Sequence, residues 1–254
     1  NFKTPFTVRV RVPKSVMAIG NAPIEKRETE GQTSLVEFKK TQPLPTYLVA
    51  MAIGSFAVLE ASNDVFDGIP LRVVTTKGKS PLGAYALKTT PILYDALKAY
   101  VDRPYPFKKL DLVAVPGPID GAMENPGLVT FRETLLLLDE GNSPPDRLLW
   151  TQLALAHELS HSYFGNSVTP LRWNELWLSE AFSTWMARRL VANTQPQLGT
   201  SLARSAGTSR LMRHDAPSRT APIRPTVRTD GHRFSSNTGL IHAKGAAIVQ
   251  MMNE

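Results

Sequence analysis

The chain has 254 residues, a formal net charge of +7, no cysteine, and 42% hydrophobic residues. Such a composition supplies the core of a globular chain of one or two domains, and no run of eighteen apolar residues offers a transmembrane helix. Without cysteine there are no disulfides and no thiolate metal ligands. The positive charge does not form a stripe with interleaved aromatics. Much of it lies between Arg204 and Arg233, with Arg210, Arg213, Arg219, Arg224 and Arg228, which reads as a solvated or partner-facing surface rather than a nucleic-acid interface.

Taken in order, residues 1–77 read as β-structure. Phe6 to Val12 alternates apolar and polar residues, Ser34 to Phe38 forms a second strand, and Ile69 to Thr75 another. Tyr47 to Leu59, with Gly54 inside it, reads as a bent strand or two strands joined at a bulge. Short polar breaks between these runs predict an antiparallel sheet. The turn Lys77-Gly78-Lys79-Ser80-Pro81 marks a domain boundary.

Leu82 to Tyr100 has helical spacing, with Pro91 expected to kink or interrupt it. Leu110 to Val115 reads as a strand that ends in the turn-rich segment 116–127. Leu128 to Phe131 and Thr134 to Leu138 read as short extended pieces. A buried helix follows, with Ser143 as N-cap, Pro144 at its first position and Gly165 as its stop. The next apolar stretch, from Trp173 to Phe182, predicts a second helix. Further on, a helix is expected over Leu198 to Met212, a Pro- and Arg-rich loop over 215–238, and a last helix over Leu240 to Met252.

The first of the paired helices carries His157-Glu158-Leu159-Ser160-His161, an HExxH pattern. Residues four apart share one helix face, so His157 and His161 can aim at a single metal ion. Glu158 falls beside that point, where a carboxylate can take a proton from water. A catalytic zinc site needs a third protein ligand, and Glu180, separated from His161 by eighteen residues and carried on the next helix, fits. A buried His-Glu-His cluster without a metal would leave costly unpaired polar groups. These residues imply one Zn²⁺ per chain. Glu175, early in the second helix, is either a hydrogen-bond partner of a zinc-bound histidine or an acidic residue at the helix N-terminus.

Three features together resemble the M1 family of zinc aminopeptidases, the gluzincins. These are Gly121-Ala122-Met123-Glu124-Asn125, the HExxH pattern about thirty residues later, and Glu180 within Trp173 to Glu180. The resemblance extends over nearly the whole chain. It implies an α+β chain in which residues 1–77 are the end of an antiparallel β-domain and 78–254 are most of a thermolysin-like catalytic domain. It also implies that the chain is part of a longer protein, with a C-terminal helical domain as an intramolecular partner.

Residue by residue, the resemblance makes His157, His161 and Glu180 the zinc ligands and Glu158 the general base. Glu124 becomes the group that holds the free α-amino end of a peptide substrate, with Gly121, Ala122, Met123 and Asn125 lining the peptide-binding edge. The implied activity is removal of the N-terminal residue from peptides. A weakly catalytic, zinc-containing peptide-binding protein is the alternative, and an endopeptidase is disfavoured by the Glu124 segment.

Two positions depart from the family pattern. The family carries a tyrosine two residues before a Lys-Gly pair, where its hydroxyl stabilises the oxyanion. Here Lys244-Gly245 is preceded by His242, and no tyrosine follows Tyr163. A shorter, titratable imidazole could donate in place of the phenol, at reduced rate. Asp120, just before Gly121, places a carboxylate beside the pocket for the first side chain, where it would attract Lys or Arg.

Overall fold

A computed structural model describes residues 2–199, 212–213, 215–216, 222–224 and 238–253. The N-terminal strands are β1 (Arg9–Pro13), β2 (Met17–Gly20), β3 (Ile24–Glu30), β4 (Thr33–Phe38) and β5 (Met51–Gly54). They form two antiparallel sheets, in order β1-β4-β3 and β2-β5. The strands β6 (Phe56–Glu60), β7 (Leu71–Thr76), β8 (Leu110–Val115), β9 (Ala122–Met123) and β10 (Leu128–Arg132) make a mixed sheet ordered β6-β7-β8-β10-β9. Its central pairs β7-β8 and β8-β10 are parallel and its outer pairs antiparallel.

Residue alternation gives this sheet two buried faces. Leu71 and Val73 of β7, with Leu110, Leu112 and Ala114 of β8, join the main core. Val74 and Val113 point the other way, onto Ile19 and Leu128, where the β2-β5 pair covers the sheet. The main core also takes in α1 (Ala84–Val101), α3 (Pro145–His161), α4 (Leu176–Thr194) and α5 (Thr238–Asn253). Between β10 and α3 lies the short helix α2 (Glu133–Leu136). No helix among the described residues is long and apolar enough to cross a membrane.

Several expectations need correction. The turn at 77–81, expected as a boundary, connects β7 to α1, and the five-stranded sheet takes strands from both sides of it. Pairing passes from one sheet to another at Ser55, between β5 and β6. Of the two readings of Tyr47 to Leu59, two strands is the one found; they follow a 3-10 turn (Thr46–Leu48) and pair into separate sheets. The strands β2 and β3 were not expected, and β3 is exposed along its length, so it carries no alternation to read.

Pro91 does not break α1. Packing of that helix through Leu93, Tyr94 and Leu97 onto the core outweighs one lost backbone hydrogen bond. Thr134 to Leu138 begins as the helix α2 rather than as a strand. The start of α3 is shifted by one residue, with Pro144 at the N-cap, Pro145 at the first helical position, and no side-chain cap from Ser143. The Leu198 to Met212 helix and most of the 215–238 loop lie outside the described residues, whereas α5 spans the expected last helix.

Candidate metal centre

Helices α3 and α4 carry the centre. At the end of α3, Nε2 of His157 and Nε2 of His161 lie 3.0 Å apart. Glu180, in the second turn of α4, places Oε2 at 3.3 Å from the first and 3.5 Å from the second. The two helices meet because the chain reverses tightly between them. Gly165 has φ +126°, and a Cβ there would collide with Ser179 Oγ and reach His161 Nδ1 at 3.2 Å. Gly165 was expected only as a helix stop; its larger role is this close approach. Gly165→Ala should cost about 1–3 kcal/mol of stability, read as a lower thermal unfolding midpoint, and an unchanged midpoint would refute the packing role.

Hydrogen bonds orient both rings. His161 Nδ1 lies 3.0 Å from the Phe164 carbonyl oxygen, which can only accept, so Nδ1 carries hydrogen and Nε2 is the nitrogen that faces the centre of the site. Ser179 Oγ lies 3.2 Å from the same Nδ1 and donates to Phe164 O at 2.9 Å. His157 Nδ1 is 3.4 Å from Thr184 Oγ1. Ser179 and Thr184 flank Glu180 at one and four residues, and sequence reading missed both. Their only signal is that a residue four beyond Glu180 shares its helix face.

Of its two expected places, Glu175 takes the second, an acidic residue at the N-cap of α4. Its carboxylate accepts from Arg224 Nη2 at 2.9 Å, makes no side-chain cap, and bonds no histidine among the described residues.

Glu158 is 7% exposed, and its Oε2 has no hydrogen-bond partner among the described residues. Burial, reinforced by the carboxylates of Glu124 and Glu180, pushes its acid well above the usual range. At His161 burial works to lower the imidazole, but the negative charge of Glu124, Glu180 and Glu158 prevails and raises it to about 10. His157 is lowered, by burial and then by His161. Glu180 is held well below the carboxylate range because the neighbouring imidazoles, His161 first, overcome its burial.

These features suit a divalent cation. Two imidazole nitrogens this close, with a carboxylate oxygen beside them, can serve one cation together. The set of nitrogen and carboxylate oxygen donors matches what zinc accepts.

The Gly121 to Asn125 segment lies on the open side of this cluster. Gly121, at φ +56°, turns the chain, and its carbonyl accepts from Arg132 N at 2.8 Å. Ala122 and Met123 form β9, the edge strand of the sheet. Glu124 is 8% exposed, and its carboxylate, His161 and Glu180 offer atoms within 4.8 Å of one another. Its carbonyl accepts from Asn166 Nδ2 at 2.8 Å, which ties the segment to the loop after α3.

Asn125, expected on the substrate edge, also braces the segment from within. It is buried, and its amide donates to Leu48 O at 3.2 Å. Asn21 supports the same junction by donating to Leu48 O and Pro126 O while accepting from Ala50 N. The adjacent Tyr47 was also missed. Burial, and the nearby charges of Glu124 and Glu180, raise its phenol, so this residue of the N-terminal part borders the site. Farther back, Lys109 Nζ donates to both Asp111 Oδ2 and Gly127 O at 2.6 Å, and Arg72 pairs with Asp111. This buried trio anchors the end of the segment, where a Cβ on Gly127 would strike Asn21 O. Asp120 is exposed at the other end.

His242 reaches the cluster from α5. Its Nε2 is 3.1 Å from Glu180 Oε2, and its ring stacks on His157 at 5.4 Å and 14°.

Two helix-borne histidines and a carboxylate, beside an acidic loop at a sheet edge, make a candidate metal centre. The sequence description of the peptidase family M1 domain matches residues 85–254, and the chain belongs to that family. It is 34% identical over 252 residues to "Aminopeptidase M1-D" of Oryza sativa subsp. japonica, covering 99% of this chain and 29% of the relative. It is 33% identical over 254 residues to "Endoplasmic reticulum aminopeptidase 2" of Bos taurus, covering 100% and 26%. It is 32% identical over 252 residues to "Leucyl aminopeptidase" of Saccharolobus solfataricus, covering 98% and 32%. The chain thus spans between a quarter and a third of the length of these relatives.

Proposed function

We propose that this chain carries the catalytic centre of a zinc aminopeptidase. The observation that carries the reading is the meeting of His157 Nε2, His161 Nε2 and Glu180 Oε2 within 3.5 Å, beside a buried Glu158. His157, His161 and Glu180 would hold the ion. Zinc bound there supplies Lewis acidity to the scissile carbonyl and to the attacking water.

Glu158 accepts a proton from that water and delivers it to the departing amine nitrogen. Its buried setting keeps the acid form accessible, which the second transfer requires. Glu124 binds the substrate's α-ammonium through charge-assisted hydrogen bonds, so only one residue fits between it and the cleavage point. The backbone edge of Gly121, Ala122 and Met123 pairs with the extended peptide as an added strand. Asp120, at the mouth, favours Lys or Arg in the first position. Residues 1–77, whose strands β6 and β7 pair into the five-stranded sheet, act as β-structured support, and a C-terminal helical domain is the expected intramolecular partner.

A second reading, a zinc-bearing peptide binder with little turnover, is favoured by one contact, that of His242 with Glu180. Steady-state hydrolysis of a panel of aminoacyl anilides by the zinc-loaded protein separates the two. The enzyme reading expects turnover of Lys and Arg substrates ahead of Leu and Ala. Binding without turnover favours the second reading, and Leu or Ala far ahead of Lys removes the role of Asp120.

A further inference from the structure

We infer that His242 is a fourth protein ligand of the metal centre, rather than an oxyanion donor standing clear of it. The inference rests on the zinc reading above. Its ground is that three imidazole nitrogens converge on one oxygen. Glu180 Oε2 has His157 Nε2 at 3.3 Å, His161 Nε2 at 3.5 Å and His242 Nε2 at 3.1 Å. His157, Glu180 and His242 also offer ligand atoms within 4.8 Å of one another. The His242 and His157 rings stack with 5.4 Å between centroids and 14° between planes, so the two imidazoles stand side by side at this carboxylate.

The backbone holds His242 there. Gly245 lies three residues on, along the same face of α5. A Cβ at Gly245 would stand 2.6 Å from Ala181 Cβ, so α5 packs against α4 one residue from Glu180 at a distance that only glycine permits. Two side-chain contacts secure the helix on either side, Lys244 Nζ to Asp215 Oδ1 at 3.0 Å and Trp185 Nε1 to Gln250 Oε1 at 2.9 Å. At the position of His242 a tyrosine would carry its hydroxyl past the carboxylate toward substrate. The shorter imidazole ends its reach at Glu180.

Three imidazoles and a carboxylate form a donor set that zinc accepts readily, and four protein donors are the count of sites that retain metal rather than turn over substrate. This centre therefore binds zinc more tightly and works more slowly than one with three protein ligands.

Zinc-edge X-ray absorption of the zinc-loaded protein counts the imidazoles on the metal. The expected result is three in the wild type and two in both His242→Phe and His242→Tyr. Both variants should also yield zinc more readily in a chelator competition, by about 10-fold or more. Turnover should rise in His242→Tyr. Two imidazoles in the wild type, with an unchanged spectrum in the variants, overturn the inference and leave the zinc reading standing. A wild type that takes up no zinc overturns both.

Discussion

Glu158→Gln is expected to lower kcat by about 10²–10⁴-fold, the usual contribution of general acid–base catalysis, and to leave zinc content unchanged. The substitution keeps the shape and volume of the side chain and removes only its capacity to take and return a proton. Glu158 is one residue from His157 and so points to a different side of the helix, which leaves the three side chains proposed to hold zinc in place. The buried position of the carboxyl, with Oε2 free of hydrogen bonds among the described residues, leaves it able to serve water and leaving group in turn. The loss should fall on kcat with little change in KM, because the side chain does not grip substrate. Turnover within threefold of wild type would remove Glu158 from the reaction.

Glu124→Gln should act at a different point. A hydrogen bond to a charged group contributes about 1.5–3 kcal/mol, so kcat/KM for peptides with a free N-terminus should fall about 10–150-fold. N-acetylated peptides lack the ammonium and should resist wild type and variant alike. The comparison also tests the alternative of an endopeptidase, which would cleave the acetylated peptide and tolerate the substitution. Geometry supports the assignment, since the Glu124 carboxylate approaches His161 and Glu180 without belonging to either metal-site helix. Asn166 holds the backbone of Glu124 from behind, so the side chain is free to face substrate.

What could be read from the sequence followed from helical periodicity. His157 and His161 lie one turn apart, and Glu180 falls on the next apolar helix, so their convergence needed no knowledge of the rest of the fold. The groups that orient them were hidden for a physical reason. Phe164 contributes a backbone carbonyl, and Ser179 and Thr184 are hydroxyl residues of a kind common on any helix. Their relevance depends on how closely α4 approaches α3, which Gly165 sets.

That one sheet takes strands from both sides of the turn at 77–81 was hidden for a similar reason. A turn rich in Lys, Gly and Pro looks the same whether it links domains or a strand to a helix of one sheet. Parallel pairing of β7 with β8, across more than thirty residues, left no local trace. The fully exposed β3 had no buried face to impose alternation, and it went unseen. Asn125 was placed with its neighbours on the substrate edge, and an amide can serve a loop as well as a ligand. Here it also holds the turn next to Tyr47. By contrast, the Lys244-Gly245 pair marked a position whose structural cause is now plain, the contact of α5 with Ala181.

Anomalous scattering at the zinc edge, from crystals of the zinc-replete protein, tests the central claim most directly. One peak per chain, among His157 Nε2, His161 Nε2 and Glu180 Oε2, is the predicted result. A map with no peak there, or with those three side chains turned away from one another, would contradict it.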